Sequence, residues 1–275
     1  MRLYLAGADS SGDHVALLGL SQVRYLVSYF YILNGRGADV IKHANDNGNP
    51  VFLDSGAFSA FFSGNDIDLK KYTEFCLNNA GSFETIAYLD AIGDESKSKS
   101  NYLAMRDAGV NGVPTYHVGE SYDFLEWLLS EWEYVAIGGL VPYLKGGGGG
   151  YRDAVIRALI RCHKAAKDSG GKLHGFGVTT WRLMKSFDWY SVDSTAWHTG
   201  RRFGKCLVWD DGVKTVTGRD NPQDVFSTAR RIDYAGDIKD VIPKRTQSTK
   251  DYIPTLRFNA LVSYYGEKYL TDIKQ

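Results

Sequence analysis

The sequence predicts an α/β protein, a (β/α)8 TIM barrel with a C-terminal hairpin and helices, and three observations predict it. Eight short β-rich runs alternate with helical patterns over about 190 residues, the order of a parallel sheet whose strands are joined by crossovers. No G-x-G-x-x-G opens a helix after the first run, which counts against a dinucleotide-binding version of the alternative, an open doubly wound sheet. Aspartates stand directly after three of the apolar runs, where the loops that follow barrel strands carry functional groups.

Taken in order, the expected strands are Arg2–Ala6, Arg24–Tyr29, Pro50–Leu53, Thr85–Leu89, Val113–Tyr116, Tyr134–Ile137, Lys172–Phe176 and Tyr190–Val192. The expected helices between them are Gly37–Asn47, Leu69–Asn79, Ser96–Ala108, Tyr122–Ser130, Tyr151–Asp168 and Thr180–Ser186. In Tyr151–Asp168, residues Ala154, Val155, Ala158, Leu159 and Cys162 recur at helical spacing while Arg152, Arg157, Arg161 and Lys164 fall on other faces, as an amphipathic helix requires. Gly146–Gly150 is a run of five glycines, read as a surface loop because it has no side chains to pack, with a lid or phosphate-contacting loop as the functional reading. After Val192 the pattern changes. Cys206–Trp209 and Val213–Val216 flank Asp211-Gly212, a hairpin with a favoured turn. Asn221–Ile232 and Thr255–Leu270 read as terminal helices. The expectation is one domain over 1–275, with a barrel to about 200 and a C-terminal extension over about 201–275.

Composition narrows the function classes. Hydrophobic residues are 44% and charged residues 23% of 275, enough to bury a core and too apolar for a disordered chain. Lys+Arg and Asp+Glu are 32 each, which excludes nucleic-acid binding by bulk positive charge but not by a local patch. Arg201, Arg202 and Lys205, then Arg230, Arg231, Lys239, Lys244, Arg245 and Lys250, enrich the C-terminal part in cations. The apolar stretch Val23–Leu33 is broken by Arg24 and Ser28, well short of the roughly 18 residues of a membrane span. Cys76, Cys162 and Cys206 are far apart and form neither a disulfide framework nor a C-x-x-C zinc pattern. A soluble, intracellular, metal-free protein with no membrane partner is expected.

The motifs sit at the ends of strands. Val51-Phe52-Leu53 leads into Asp54-Ser55-Gly56-Ala57-Phe58, Ile86-Ala87-Tyr88-Leu89 into Asp90, and Tyr190-Ser191-Val192 into Asp193. A single aspartate there commonly caps the next helix. Three on one barrel rim gather carboxylates around one pocket, where like charge drives their pKa values apart and separates acid from nucleophile. Gly138-Gly139-Leu140 and Gly175-Phe176-Gly177-Val178-Thr179 end two further strands, and glycine lets a ligand approach the backbone. His117 follows the strand ending at Tyr116.

Together these segments resemble the tRNA-guanine transglycosylases. Asp54-Ser55-Gly56-Ala57-Phe58 is similar to their D-S-G-G-[FY] segment, Asp90 to their base-reading aspartate, Gly138-Gly139-Leu140 to G-G-L, Gly175–Thr179 to G-x-G-T, and Asp193 to their nucleophile. The match runs in order from about Pro50 to Asp193, and the family's fold is a (β/α)8 barrel. The family's tRNA enzymes carry a C-terminal zinc site of cysteines and a histidine that this chain lacks, and the segment Asp193-Ser194-Thr195-Ala196-Trp197 looks more like the relatives in phages and bacteria that insert 7-deazaguanine bases into DNA.

The resemblance implies exchange of guanine in DNA for a 7-deazaguanine base, such as 7-cyano-7-deazaguanine, with tRNA as the alternative substrate and a non-catalytic nucleic-acid-binding barrel as a third reading. Under it Asp193 is the nucleophile that forms a covalent aspartyl-glycosyl intermediate and Asp54 the general acid/base. Asp90 reads the base, with Ser55 and His117 as further contacts; Phe58 stacks on it, and Gly138, Gly139 and Leu140 bring backbone to its edge. Arg201, Arg202 and Lys205 would hold flanking phosphates of a nucleotide flipped from its stack. No cofactor is implied, and the expected location is the cytoplasm, the host's if the chain is phage-encoded.

Overall fold

The computed structural model describes residues 1–9, 13–140, 153–242 and 252–273, with the side chains of Arg201 and Arg202 left out. Eight parallel strands form one sheet: β1 (Arg2–Ala6), β2 (Arg24–Ser28), β3 (Val51–Asp54), β4 (Thr85–Ile86), β5 (Thr115–His117), β6 (Tyr134–Gly138), β7 (Lys172–Gly175) and β8 (Ser191–Ser194). Their spatial order is β4-β3-β2-β1-β8-β7-β6-β5. The two ends of that order meet in a parallel bridge between Ala87 and Val113. Val113 N–H donates to the Ile86 carbonyl at 2.8 Å and Tyr88 N–H to the Val113 carbonyl at 2.9 Å. The sheet thus closes on itself, and the fold is the (β/α)8 barrel that the sequence predicts.

Closure is thin at this one seam. β4 is two residues long where Thr85–Leu89 is expected, and β5 begins at Thr115 rather than Val113. Pro114 has no N–H to give to a ladder, so regular pairing starts after it. Tyrosine hydroxyls from the helices and the strand itself satisfy carbonyls there. Tyr72 donates to Ala87 O at 2.7 Å, Tyr88 to Val110 O at 2.9 Å and Tyr102 to Thr115 O at 2.8 Å. All three rings are buried, and without those acceptors their hydroxyls would lack the partner that burial demands.

Strand alternation sorts the side chains. Tyr4, Ala6, Leu26, Phe52 and Ala87 form an apolar cluster with Phe176, the barrel interior. Leu3, Leu5, Tyr25, Val27, Val51 and Leu53 belong to the larger core shared with the surrounding helices. The period of two therefore aims Asp54, two residues after Phe52, inward at the mouth.

The helices before the last strand are α1 (Tyr29–Leu33), α2 (Ala38–Asp46), α3 (Ala57–Phe62), α4 (Leu69–Asn78), α5 (Glu95–Asp107), α6 (Tyr122–Glu131), α7 (Asp153–Ser169) and α8 (Trp181–Ser186). Side-chain caps start several: Asp68 accepts from Lys71 N–H, Asp94 from Lys97 N–H and Ser121 from Phe124 N–H, each satisfying an orphan donor of the first turn. On α7 Val155, Leu159, Cys162 and Ala166 are buried, whereas Ala154 is exposed. The Gly146–Gly150 run lies outside the described residues.

After β8 come α9 (Thr199–Phe203), the antiparallel pair β9 (Lys205–Trp209) and β10 (Val213–Thr217), then α10 (Pro222–Arg231), α11 (Ile238–Val241) and α12 (Ile253–Ile273). Cys206, Leu207, Val208, Val225, Ala229 and Val241 form a second small core with Phe258 and Val262 of α12. The same helix gives Leu256, Ala260 and Leu270 to the main core. Glu267 on α12 pairs with Arg24 on β2, and Thr271 donates to Met1 O at 3.1 Å. The last helix therefore packs on the barrel as the crossover helix that follows β8, and the hairpin, α10 and α11 are inserted before it. The part of the chain after about residue 200 thus supplies both an insertion and a wall of the barrel, which no local pattern around residue 200 announces. Among the described residues no helix is long and apolar enough to cross a membrane.

Candidate active site

Asp54 closes β3 and lies opposite Ser28 of β2, and Asp193 on β8 lies opposite Tyr4 of β1. Asp54, Asp90 and Asp193 all follow or end their strands on the C-terminal side, so the three carboxyls gather at one mouth. The turn after β3 explains the D-S-G order. Gly56 N–H donates to Asp54 Oδ2 at 3.1 Å. Gly56 has φ 79°, and a Cβ on it would lie 2.7 Å from the Phe30 backbone N, so the turn requires glycine.

Asp54 is pushed up to about 7. Burial is the largest cause, followed by the Asp90 charge and, more weakly, that of Asp193, while Ser28 and the Gly56 N–H pull the other way. Asp54 keeps a partial opening to the mouth.

Asp90 is buried and held through both oxygens. Ser55 Oγ donates to Oδ1 at 2.9 Å, and His117 Nε2 lies 2.7 Å from Oδ2. Burial lowers the His117 pKa, but the hydrogen bond to Asp90 and the charges of Asp90 and Glu120 outweigh it, so the net shift is upward. The backbone N–H of His117 donates to Glu120 Oε2 at 2.6 Å, and burial pushes Glu120 up to about 7 against that bond. Gly138 makes room for this pair: a Cβ there would sit 2.8 Å from His117 Nδ1, and its carbonyl already accepts from Val118 N–H at 3.1 Å. Its observed work is to admit the imidazole rather than to offer a free carbonyl.

Asp193 is buried, and Gly177 N–H donates to its Oδ1 at 2.8 Å. His174 Nε2 lies 3.5 Å from the same oxygen. His174 is fully buried, and burial lowers its pKa in spite of Asp193. Below the carboxyls the rings of Phe52, His174 and Phe176 pack at centroid distances of 4.6 to 5.8 Å, forming an aromatic floor.

The structure thus brings Asp54, Ser55, Asp90, His117, Gly138 and Asp193 to one place. Phe58 is 40% exposed on α3, 4.6 Å from the ring of Phe62. Leu140 turns its side chain into the main core at 1% exposure, leaving only its backbone for a ligand. Lys205 is exposed on the first residue of β9, its Nζ 5.8 Å from the Phe203 ring. Arg201 and Arg202 lie on α9. Trp197 is a core residue, donating Nε1–H to Ala6 O at 2.9 Å.

Sequence reasoning missed Glu120, His174, Ser191 and Phe176. The available signal was the alternation itself: His174 interrupts the apolar run of β7 two residues before Phe176. A cavity of about 640 Å³ opens at the opposite end of the barrel, lined by Arg2, Arg24, Lys172, Tyr190 and Glu267. Three of its cations are paired, Arg2 with Glu84, Arg24 with Glu267 and Lys172 with Glu133. Among the described residues no group of three or more His, Cys, Asp or Glu could hold a metal ion.

No family model matches this chain, and no curated protein matches it. Among solved structures it is similar to a mutant tryptophan synthase alpha-subunit from the hyperthermophile Pyrococcus furiosus, at 13% identity and TM-score 0.49, covering 74% of this chain and 90% of that one. It is also similar to an Aquifex aeolicus VF5 protein, at 11% identity and TM-score 0.47, covering 74% and 86%.

Proposed function

We propose that this chain is a base-exchange transglycosylase that replaces guanine in DNA with a 7-deazaguanine base. The observation that carries the reading is a pair of carboxyls at one mouth: Asp54, pushed up to about 7 by burial and the Asp90 charge, and Asp193, fixed by the Gly177 N–H. Breaking a purine glycosidic bond needs a nucleophile at the sugar carbon and an acid for the departing base. Asp193 attacks C1′, the C1′–N9 bond breaks with its electrons leaving on guanine, and Asp54 gives guanine a proton. The incoming base then loses its N9 proton to Asp54 and attacks C1′, and the aspartyl–sugar bond breaks. Two displacements retain configuration, as in carboxylate-dependent glycoside chemistry.

Asp90, held by Ser55 and His117, accepts from the ring N–H and amino group of the base. Reaching this pocket requires that the nucleotide leave its stack. Substrate choice rests on the sequence resemblance to the DNA-acting enzymes. The test is incorporation of labelled guanine into DNA and into tRNA. Incorporation into DNA supports the proposal, into tRNA alone moves the same chemistry to RNA, and into neither leaves a binding barrel and overturns it.

A further inference from the structure

We infer that His174 is a positioning residue for Asp193, presenting an Nε2–H to its Oδ1 at the end of a hydrogen-bond chain that begins at the Tyr134 hydroxyl. The inference rests on the proposed role of Asp193 as nucleophile. The chain runs through the barrel interior. Tyr134 Oη lies 2.6 Å from Ser191 Oγ, Ser191 Oγ lies 2.6 Å from His174 Nδ1, and His174 Nε2 lies 3.5 Å from Asp193 Oδ1. Strand register builds it: His174 of β7 pairs with Ser191 of β8, two residues before Asp193 on the same inward face.

Chemistry gives the chain one direction. A carboxylate oxygen only accepts. With the opposite tautomer, the Nε2 lone pair would face that oxygen at 3.5 Å between two buried side chains, a repulsion that burial strengthens. Nε2 therefore carries the proton and Nδ1 accepts. Ser191 must then donate to Nδ1, and its oxygen accepts from Tyr134. The hydrogen bond at one imidazole nitrogen fixes the state of the other.

His174 is enclosed by the rings of Tyr4, Phe52 and Phe176, so it holds its place without a charge. A neutral donor suits a carboxylate that must become an ester and then be released. An imidazolium would pin the anion and blunt its attack. The Gly177 hydrogen bond and the 3.5 Å approach of His174 both fall on Oδ1, which leaves Oδ2 as the oxygen for the sugar carbon.

Two experiments test this. Long-range proton–nitrogen NMR on the full chain at pH 7, with His174 assigned by its absence in His174→Gln, reads the tautomer directly. An Nε2–H signature supports the inference, and an Nδ1–H or doubly protonated ring overturns it. The second is the rate of adduct formation with a guanine-containing DNA oligonucleotide, in variants whose folding is checked by circular dichroism. His174→Met fills the space without a donor and is expected to slow adduct formation about 10- to 100-fold, as misplaced reacting groups do. His174→Gln keeps an N–H near the Nε2 position and is expected to recover at least part of that loss. Equal rates in the two variants overturn the positioning role. If the unmodified chain forms no adduct, the base-exchange reading fails, while the tautomer stands or falls by NMR alone.

Discussion

Asp54 binds its proton more tightly in the folded chain than a free carboxylate does, with a folded pKa of about 7 against about 4 when unfolded. Between those values the folded state holds the extra proton, so stability falls as pH rises through the window and the full cost is present above it. Asp54→Asn is therefore expected to be more stable than the parent at pH 8 by roughly 1–2 kcal/mol, less than the whole shift because the opening to the mouth lets solvent screen it. At pH 4 the difference should vanish; urea titrations at both pH values check it. In the proposed base exchange, loss of the same proton should lower single-turnover rates above about pH 7. Asp54→Asn should remove that limb and slow exchange by about 10²- to 10⁴-fold. Asp193→Ala should leave no denaturation-resistant adduct. An adduct that persists and maps by mass spectrometry to Asp54 would exchange the two roles. The three aspartates were legible because each ends an apolar run. Glu120 and His174 were not, since their importance depends on which strands become neighbours when the sheet closes.

At the level of elements, the turn from β3 into α3 is tightly constrained. Gly56→Ala places a methyl against the Phe30 backbone in a left-handed conformation and should cost about 2–4 kcal/mol, more than φ strain alone, because backbone has no rotamer to give way. Denaturant midpoints measure it, and a cost below 1 kcal/mol would mean the turn rearranges. Most strands and long helices could be read from sequence to within two or three residues, because buried parallel strands are apolar runs and long helices show their period. The short helices Tyr29–Leu33, Ala57–Phe62, Thr199–Phe203 and Ile238–Val241 were not, since about one turn is too little for a period to register. These pieces are fixed by the strand ends and cores they cover, not by their own propensity.

For the molecule as a whole, the decisive element is α12. It supplies Leu256 and Ala260 to the barrel core and Phe258 and Val262 to the hairpin core, so neither core is complete without it. Barrel and insertion are expected to unfold in a single transition, with near- and far-ultraviolet circular dichroism superimposing across a urea titration. Two resolved transitions would show the insertion to be independent. The sequence displayed the helix but not this double duty, because apolar residues facing two directions read locally as one broad stripe.

The bridge between Ala87 and Val113 has a further consequence. With so few ladder bonds across it, this is where the cylinder should breathe, and the amides of Tyr88 and Val113 should trade hydrogen for deuterium sooner than those of β1 and β2. The Asp90–His117 contact spans the same gap at the rim. A base clasped there would act as a staple across the gap. Saturating free guanine is expected to slow deuterium uptake at these amides while leaving β1 unchanged, a footprint of occupancy that can be read before any bond is broken.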